Sequence, residues 1–302
     1  MSDQGLIGQV AEAFAHGGTL SIQDPTFRPR VAQWTMASAV ANALEDRGQL
    51  VIEAGTGVGK TFAYLVPLLL SGRRALISTA TKGLQDQLFL RDLPRLRAAL
   101  RTSVRVALLK GRASYVCLHR LEEARQRPLA ADPWARRTLA RVETWAQSTT
   151  SGDLAEIPGL DDGSSLLPLI TSTRDNCLGS NCEHFDKCFV MRARKHALES
   201  DVVVVNHHLF FADVMLRDEG MAELLPACNT VILDEAHQLP DTATLFFGET
   251  ASTGQMLELA RDSRAECLQS ARDVPALIPL CGALEKAARD LRLSVNRDVG
   301  RL

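Results

Sequence analysis

The stretch Gln49–Pro67, QLVIEAGTGVGKTFAYLVP, constrains this chain more than any other, because its residue types dictate a strand, a tight turn and a helix start in immediate succession. Leu50, Val51 and Ile52 form a short apolar run, two of them β-branched, which predicts a buried strand. Ala54, Gly55, Thr56, Gly57, Val58, Gly59, Lys60 and Thr61 then follow the spacing of a phosphate-binding P-loop, with Ala54 in the first glycine position. Glycines let the backbone take positive φ and bring successive N–H groups up to phosphate oxygens at the positive end of the next helix. Lys60 is placed to reach the β- and γ-phosphates, and the Thr61 hydroxyl stands where this motif supplies a ligand to Mg²⁺. The plain alternative is a glycine-rich turn with an incidental lysine; the full spacing and its context argue against it.

The chain has 302 residues, enough for one large domain or two moderate ones. Its net charge of −2 and charged content of 23% announce no nucleic-acid partner, so any basic surface must be local. The apolar stretch Tyr64–Leu70 falls well short of the roughly 20 residues that cross a bilayer. No basic segment followed by an apolar one opens the chain, so the expectation is a reducing cytoplasm without membrane association. Seven cysteines in such a compartment call for an explanation other than disulfides.

In chain order, residues 5–16 carry apolar positions at helical spacing, Gly17-Gly18 breaks them, and a second helix is expected over Val31–Leu44. Gln33 lies 27 residues before Lys60, a position compatible with adenine reading or with a solvated helix face. Ala75–Thr81 passes from an apolar strand into hydroxyl residues, and in an open α/β sheet loops at the carboxyl ends of strands line the ligand crevice. Thr79, Thr81 and Lys82 there suit a phosphate backbone, although Thr81 suits a helix N-cap equally.

From Arg91 to Arg141, thirteen Lys and Arg face four acids, with Trp134 inside and Trp145 just beyond. Such a surface fits single-stranded nucleic acid, by phosphate neutralisation and base stacking, or else a solvated helical face. Gln147–Leu167 reads as a loop. Cys117, Cys177, Cys182 and Cys188 give C-x59-C-x4-C-x5-C, a set that can converge on one metal centre. Zinc sites favour paired short knuckles, so the x4 and x5 gaps favour an iron–sulfur cluster over zinc, with His184 beside it rather than in it. Four buried free cysteines are the structural alternative.

Asp201–Val205 reads as a strand of a parallel sheet, followed by Asn206, His207 and His208. Adjacent histidines in a strand face opposite ways, which argues against a joint metal site and for helix-entry or nucleotide-proximal roles. Thr230–His237 repeats the strand-then-acid design: Asp234 is placed to hold Mg²⁺, Glu235 to orient and deprotonate water, and His237 to relay between nucleotide and nucleic acid. Two or more helices are expected over residues 254–293, with Cys228, Cys267 and Cys281 as packed side chains.

Read in one order, Gln33, AGTGVGKT, STATKGLQDQL, the four cysteines, DVVVVNHHLFFAD and DEAH resemble the XPD/DinG family of iron–sulfur superfamily 2 DNA helicases. The cysteine gaps and the NHHLFFAD stretch resemble its bacterial DinG/YoaA-like branch. The resemblance implies an α/β, RecA-like P-loop NTPase domain with a mostly parallel sheet, its first part over 1–110 and the remainder over 196–245. It implies an iron–sulfur domain inserted at 111–195 and the helical start of an arch domain at 246–302. ATP, Mg²⁺ and a [4Fe-4S] cluster are the implied cofactors; single-stranded, forked and duplex DNA and replication or repair proteins are the implied partners of a monomer that unwinds 5′ to 3′. The family's second helicase domain, with its arginines, has no counterpart here, so the chain reads as an N-terminal part with little unwinding of its own. Against this motor reading stands a redox-responsive iron–sulfur module that grips DNA or a partner beside a vestigial nucleotide site. A P-loop metabolite kinase is a third reading that nothing in the chain asks for.

Overall fold

A computed structural model of the chain describes residues 5–126, 133–161, 163–174, 176–218, 224–249, 252–270, 274 and 276–294. They fall into two compact units, Met1–Phe246 and Phe247–Leu302.

The first unit opens with helices α1 (Leu6–Phe14), α2 (Thr19–Gln23), α3 (Val31–Asp46) and α4 (Lys60–Ser71). Strand β1 (Ala75–Thr79) leads into α5 (Lys82–Gln87), a π-helical turn at Leu88–Asp92 and α6 (Leu93–Leu100). After β2 (Val106–Leu108) come α7 (Leu118–Gln126), α8 (Pro133–Ala146), α9 (Leu167–Ile170) and α10 (Phe189–Leu198). Strand β3 (Val202–Asn206), α11 (His207–Asp218), β4 (Thr230–Leu233) and α12 (Leu239–Phe247) follow. The four strands form one parallel sheet in the order β2-β3-β1-β4, the α/β arrangement expected from alternating strand and helix patterns.

Continuous Val and Ile runs make sense in such a sheet because both faces are covered. Ala75, Ile77, Val202 and Val204 turn to one side and pack with α1, α3, α4 and α6, while Leu76, Val203 and Val205 turn to the other with Leu109, Ala197 and Leu225. Residues 115–190 gather a core of their own, from Tyr115, Leu121, Leu139, Val142, Leu166, Ile170 and Phe189 among others. In the second unit α13 (Thr253–Ser270) and α14 (Leu277–Ser294) pack on each other, burying Cys267 and Cys281 and pairing Arg264 with Glu285 at 3.0 Å.

One expectation is overturned. Leu50–Ile52 is not a buried strand: it pairs with nothing among the described residues, and Val51 is 98% exposed. A parallel strand exists only by virtue of its neighbours' hydrogen bonds. Strand β4 pairs with β1 alone and leaves Val231 and Leu233 exposed, so its outer edge carries no neighbour among the described residues, and residues 50–52 do not join the ladder there. The apolar composition states a demand for a neighbour that these residues do not meet.

The fold's dependence on α4 is testable. Leu65 is fully buried at the centre of that helix, so Leu65→Ala should lower unfolding free energy by about 3 kcal/mol in urea titrations, and a loss under about 1 kcal/mol would contradict the packing.

Candidate nucleotide site, groove and cysteine centre

The P-loop closes as its glycines require. Gly57 and Gly59 sit at φ 80° and 89°, and Gly59 is the N-cap of α4. A Cβ at Gly59 would lie 2.2 Å from Gln33 Nε2, because that amide packs beneath the loop and donates to the Gly59 carbonyl at 3.0 Å. Gln33 is therefore buried against the loop rather than solvated. The Arg30 guanidinium donates to the Gly57 carbonyl from the same side.

Parallel pairing of β4 with β1 delivers the acidic pair to this loop. The Asp234 N–H donates to the Ser78 carbonyl at 2.9 Å, and Lys60 Nζ lies 3.1 Å from Glu235 Oε1 across 175 residues of sequence. Glu235 adopts left-handed backbone at φ 55°, a conformation that non-glycine residues hold only when the surroundings fix it. His237 Nδ1 stands 3.4 Å from Glu235 Oε2, and its ring is largely exposed. Gln33, the 54–61 loop, Asp234, Glu235 and His237 thus meet at one mouth.

Tyr64 completes this corner. Its phenol donates to Asp234 Oδ2 at 3.2 Å and also interacts with the Thr61 hydroxyl, so both side chains expected at Mg²⁺ reach one oxygen. Burial and the neighbouring Asp234 carboxylate push the phenol well above its usual range. Burial likewise raises the Asp234 carboxyl, with Glu235 adding to the shift while Tyr64 and Lys60 oppose it. Sequence reading missed Tyr64, although it lies one helical turn after Thr61 and Lys60, on the face those residues share.

A second concavity opens at the carboxyl ends of β1, β2 and β3. It is a cleft of about 670 Å³ lined by Thr81, Lys82, Gly111, Ser114, Asn206 and His208. Thr79 does not reach it, being buried and bonded to the Thr81 carbonyl. Thr81 also caps α5 by accepting from the Leu84 N–H at 3.2 Å, so the N-cap reading holds for a residue that also lines the cleft. Of the thirteen basic residues between 91 and 141, several are committed internally: Arg95 to Asp24, Arg105 to Asp201, Arg112 to Cys177 and Arg120 to Glu123. Arg137 and Arg141 lie on the exposed side of α8 with Trp134, at helical spacing, Arg141 also donating to the Pro158 carbonyl at 2.8 Å, whereas Trp145 packs on the core of residues 115–190.

The four cysteines line one small cavity of about 50 Å³, together with Arg112, His119 and His184. No group of three or more His, Cys, Asp and Glu side chains among the described residues closes on a single metal ion. Arg112 Nη1 donates to Cys177 Sγ at 3.2 Å. Arg194 is half-buried near Cys177 and Cys188; desolvation lowers its pKa, the Arg112 charge adds to that, and the two sulfurs oppose it. Burial pushes the Cys117 thiol up. Two cations beside a four-sulfur set suit soft, thiolate-ligated metal and not a neutral apolar core. His184 sits at the cavity's edge with Nε2 3.1 Å from Glu122.

Lys110 ties this region to the sheet. It is 2% exposed, between Asp86 of α5 and Asp153, each at 2.6 Å, and its N–H donates to the Tyr115 hydroxyl at 3.1 Å. Tyr115 pairs with Asp153 in an isolated antiparallel bridge, and burial raises its phenol to about 12. Counted in the sequence as surface charge, Lys110 is an interior cross-link.

These features define a P-loop α/β unit whose second acidic strand ends on DEAH. Residues 35–125 match the DEAD/DEAH box helicase family. The ATP-dependent DNA helicase YoaA of Haemophilus influenzae is 44% identical over 285 residues, covering 94% of this chain and 44% of the relative. The Escherichia coli YoaA is 44% identical over 290 residues, 95% of this chain and 45% of the relative. The ATP-dependent helicase DinG of Mycobacterium tuberculosis is 38% identical over 238 residues, 71% and 35% respectively. The chain belongs to the DinG/YoaA-like DEAD/DEAH box helicases and spans under half the length of these curated relatives.

The cross-link makes a quantitative prediction. Lys110→Met leaves two carboxylates without their cation, and because both retain some solvent contact the expected loss of stability is about 3 kcal/mol, the lower end for a broken buried pair. Lys110→Met combined with Asp86→Asn and Asp153→Asn should recover part of it; denaturant midpoints that stay at wild type in the single variant would contradict the cross-link.

Proposed function

We propose that this chain is the nucleotide-hydrolysing and strand-gripping part of an ATP-dependent DNA helicase. The observation that carries the reading is the meeting of Lys60 with Glu235 at a P-loop, beside an Asp234 held by Tyr64. Lys60 is paired with Glu235. A γ-phosphate draws the ammonium onto itself, and Glu235, released from Lys60, orients the attacking water and accepts its proton. Thr61 and Asp234 would hold Mg²⁺, which when bound would supply Lewis-acid stabilisation of phosphate charge. Gln33 and Arg30 keep the loop open for phosphate, and Gln33 lies where an adenine edge can also be read.

Nucleic acid lies in the cleft over Lys82, Asn206 and His208, with the phosphate backbone against hydroxyls and amides, and continues towards Trp134, Arg137 and Arg141 of α8, where stacking and charge neutralisation combine. We further infer that Cys117, Cys177, Cys182 and Cys188 hold a [4Fe-4S] cluster, in preference to zinc, with Arg112 and Arg194 balancing the thiolate charge. When bound, the cluster supplies a one-electron couple and a covalent tie between segments far apart in sequence. Movement 5′ to 3′ along single-stranded DNA and action on forked duplexes belong to this proposal. So does weak unwinding by residues 1–302 alone, since phosphoryl transfer draws on cations that a facing lobe supplies in such motors.

Three measurements test the reading. Lys60→Ala should weaken Mg·ATP binding about 10- to 100-fold, the loss expected for hydrogen bonds to a charged group. Glu235→Gln should retain binding and abolish hydrolysis; unchanged turnover would remove Glu235 from the mechanism. Protein purified without oxygen should be brown, with four iron and four sulfide per chain; Cys182→Ser should lose both, and a colourless protein with one zinc would sink the cluster.

A further inference from the structure

Strand β3 passes into α11 through three polar residues, Asn206, His207 and His208, whose side chains part company. Asn206 and His208 line the cleft, and Asn206 Oδ1 also accepts the Leu209 N–H at 2.8 Å to start α11. His207, between them, is turned inward and wholly buried. Its Nδ1 lies 2.7 Å from Ser78 Oγ on β1, and Ser78 is the residue whose carbonyl holds the Asp234 N–H. Its Nε2 is buried with no hydrogen-bond partner. Around the ring stand Ser78 from β1, the backbone of Asp234 and Glu235 after β4, the Asp234 carboxylate and the neighbouring His208.

Buried polar atoms in folded proteins are satisfied, and an exception marks a group waiting for a partner. In the tautomer in which the Ser78 hydroxyl donates to Nδ1, the ring proton sits on Nε2, and the backbone beside the ring that can accept it is that of Asp234 and Glu235. That peptide pair is the segment held in left-handed backbone at Glu235. A small rotation of the turn would complete the bond. His207 is covalently joined on both sides to residues of the cleft, so displacement of Asn206 or His208 by a bound strand is passed directly to the imidazole.

We propose that His207, braced by Ser78, is a positioning residue that couples the cleft to the hydrolytic pair: occupation of the cleft by a nucleic-acid strand sets the Asp234–Glu235 turn through the buried imidazole. This rests on the functional reading above, which supplies the two ligands. The coupling is reciprocal, so nucleotide bound at the P-loop changes strand affinity by the same factor.

The test uses the full chain, a non-hydrolysable fluorescent ATP analogue with Mg²⁺, and an oligothymidylate. Wild type should show a nucleotide affinity that changes about fivefold or more when the oligonucleotide is saturating, the usual range of coupling between two sites. His207→Leu and Ser78→Ala should bring that factor to about one while each affinity measured alone, and the thermal midpoint, stay near wild type. His207→Gln, which keeps a donor on a similar reach, should restore part of the coupling; a merely structural ring would show no such rescue. Full coupling in both His207→Leu and Ser78→Ala, or wild type that binds both ligands independently, overturns the proposal. Should His207→Leu fail to fold, Ser78→Ala decides alone. A wild-type chain that binds neither ligand defeats the functional reading itself, and this inference falls with it.

Discussion

The hydrogen-bonded ladders on either side of β1 set the position of every group with chemistry to perform in the first unit. Thr79 is level with Asn206 on one side and Ser78 with Leu233 on the other. Because the strands are parallel, all three end at the same edge, and the polar residue that follows each apolar run emerges there. A shift of the β4 ladder by one residue would turn Asp234 away from Ser78 and take Glu235 out of reach of Lys60. The alternation that buries Ile77 on one face and Leu76 on the other is what forbids that slip. Core packing and site geometry are one constraint seen from two ends of the strands.

The second core, over residues 115–190, faces a different problem. It is built from short helices and loops, and nothing in its own hydrogen bonding extends the sheet beyond a single bridge between Tyr115 and Asp153. Lys110 solves this by carrying one charge into the interior, where Asp86 answers from the motor side and Asp153 from the other. Two carboxylates hold the ammonium charged despite burial, and the bonds of Asp153 from both Lys110 and the bridge fix where Cys117 starts α7. The cysteine cavity is thus referred back to β2 through two residues of strand end.

How much of this was legible depended on whether a motif is defined by sequence spacing or by what lies opposite in space. The P-loop and DEAH were readable because backbone chirality and helix dipoles act over eight neighbouring residues, and those residues do meet at one mouth. His207 and His208 do face different surroundings, but both stand in the first turn of α11, so their separation comes from the rotation between helical neighbours and not from the two-residue period of a strand. Leu50–Ile52 failed because strand composition states a demand for neighbours without supplying them. The basic stretch shows the same limit: a count of arginines cannot show that Asp24, Asp201 and Glu123 answer three of them across 71, 96 and 3 residues of chain. Tyr64, Ser78 and Lys110 carry no motif at all, and only tertiary contact reveals them.

The charged groups around the P-loop already answer one another. Lys60 and Glu235 neutralise each other, and Tyr64 holds Asp234 where a cation belongs. Each contact is the kind a phosphate or a metal displaces at little cost, because the partner lost is replaced by one of equal or higher charge. Glu235 keeps its left-handed backbone throughout only if something other than Lys60 holds the turn, since that ammonium must leave when phosphate arrives. The Asp234 N–H on Ser78 and the imidazole behind it are the contacts that remain. On the mechanism proposed above, a Glu235 that gives up its salt bridge to Lys60 would need its orientation fixed from the backbone side, and β1 is the element placed to do it.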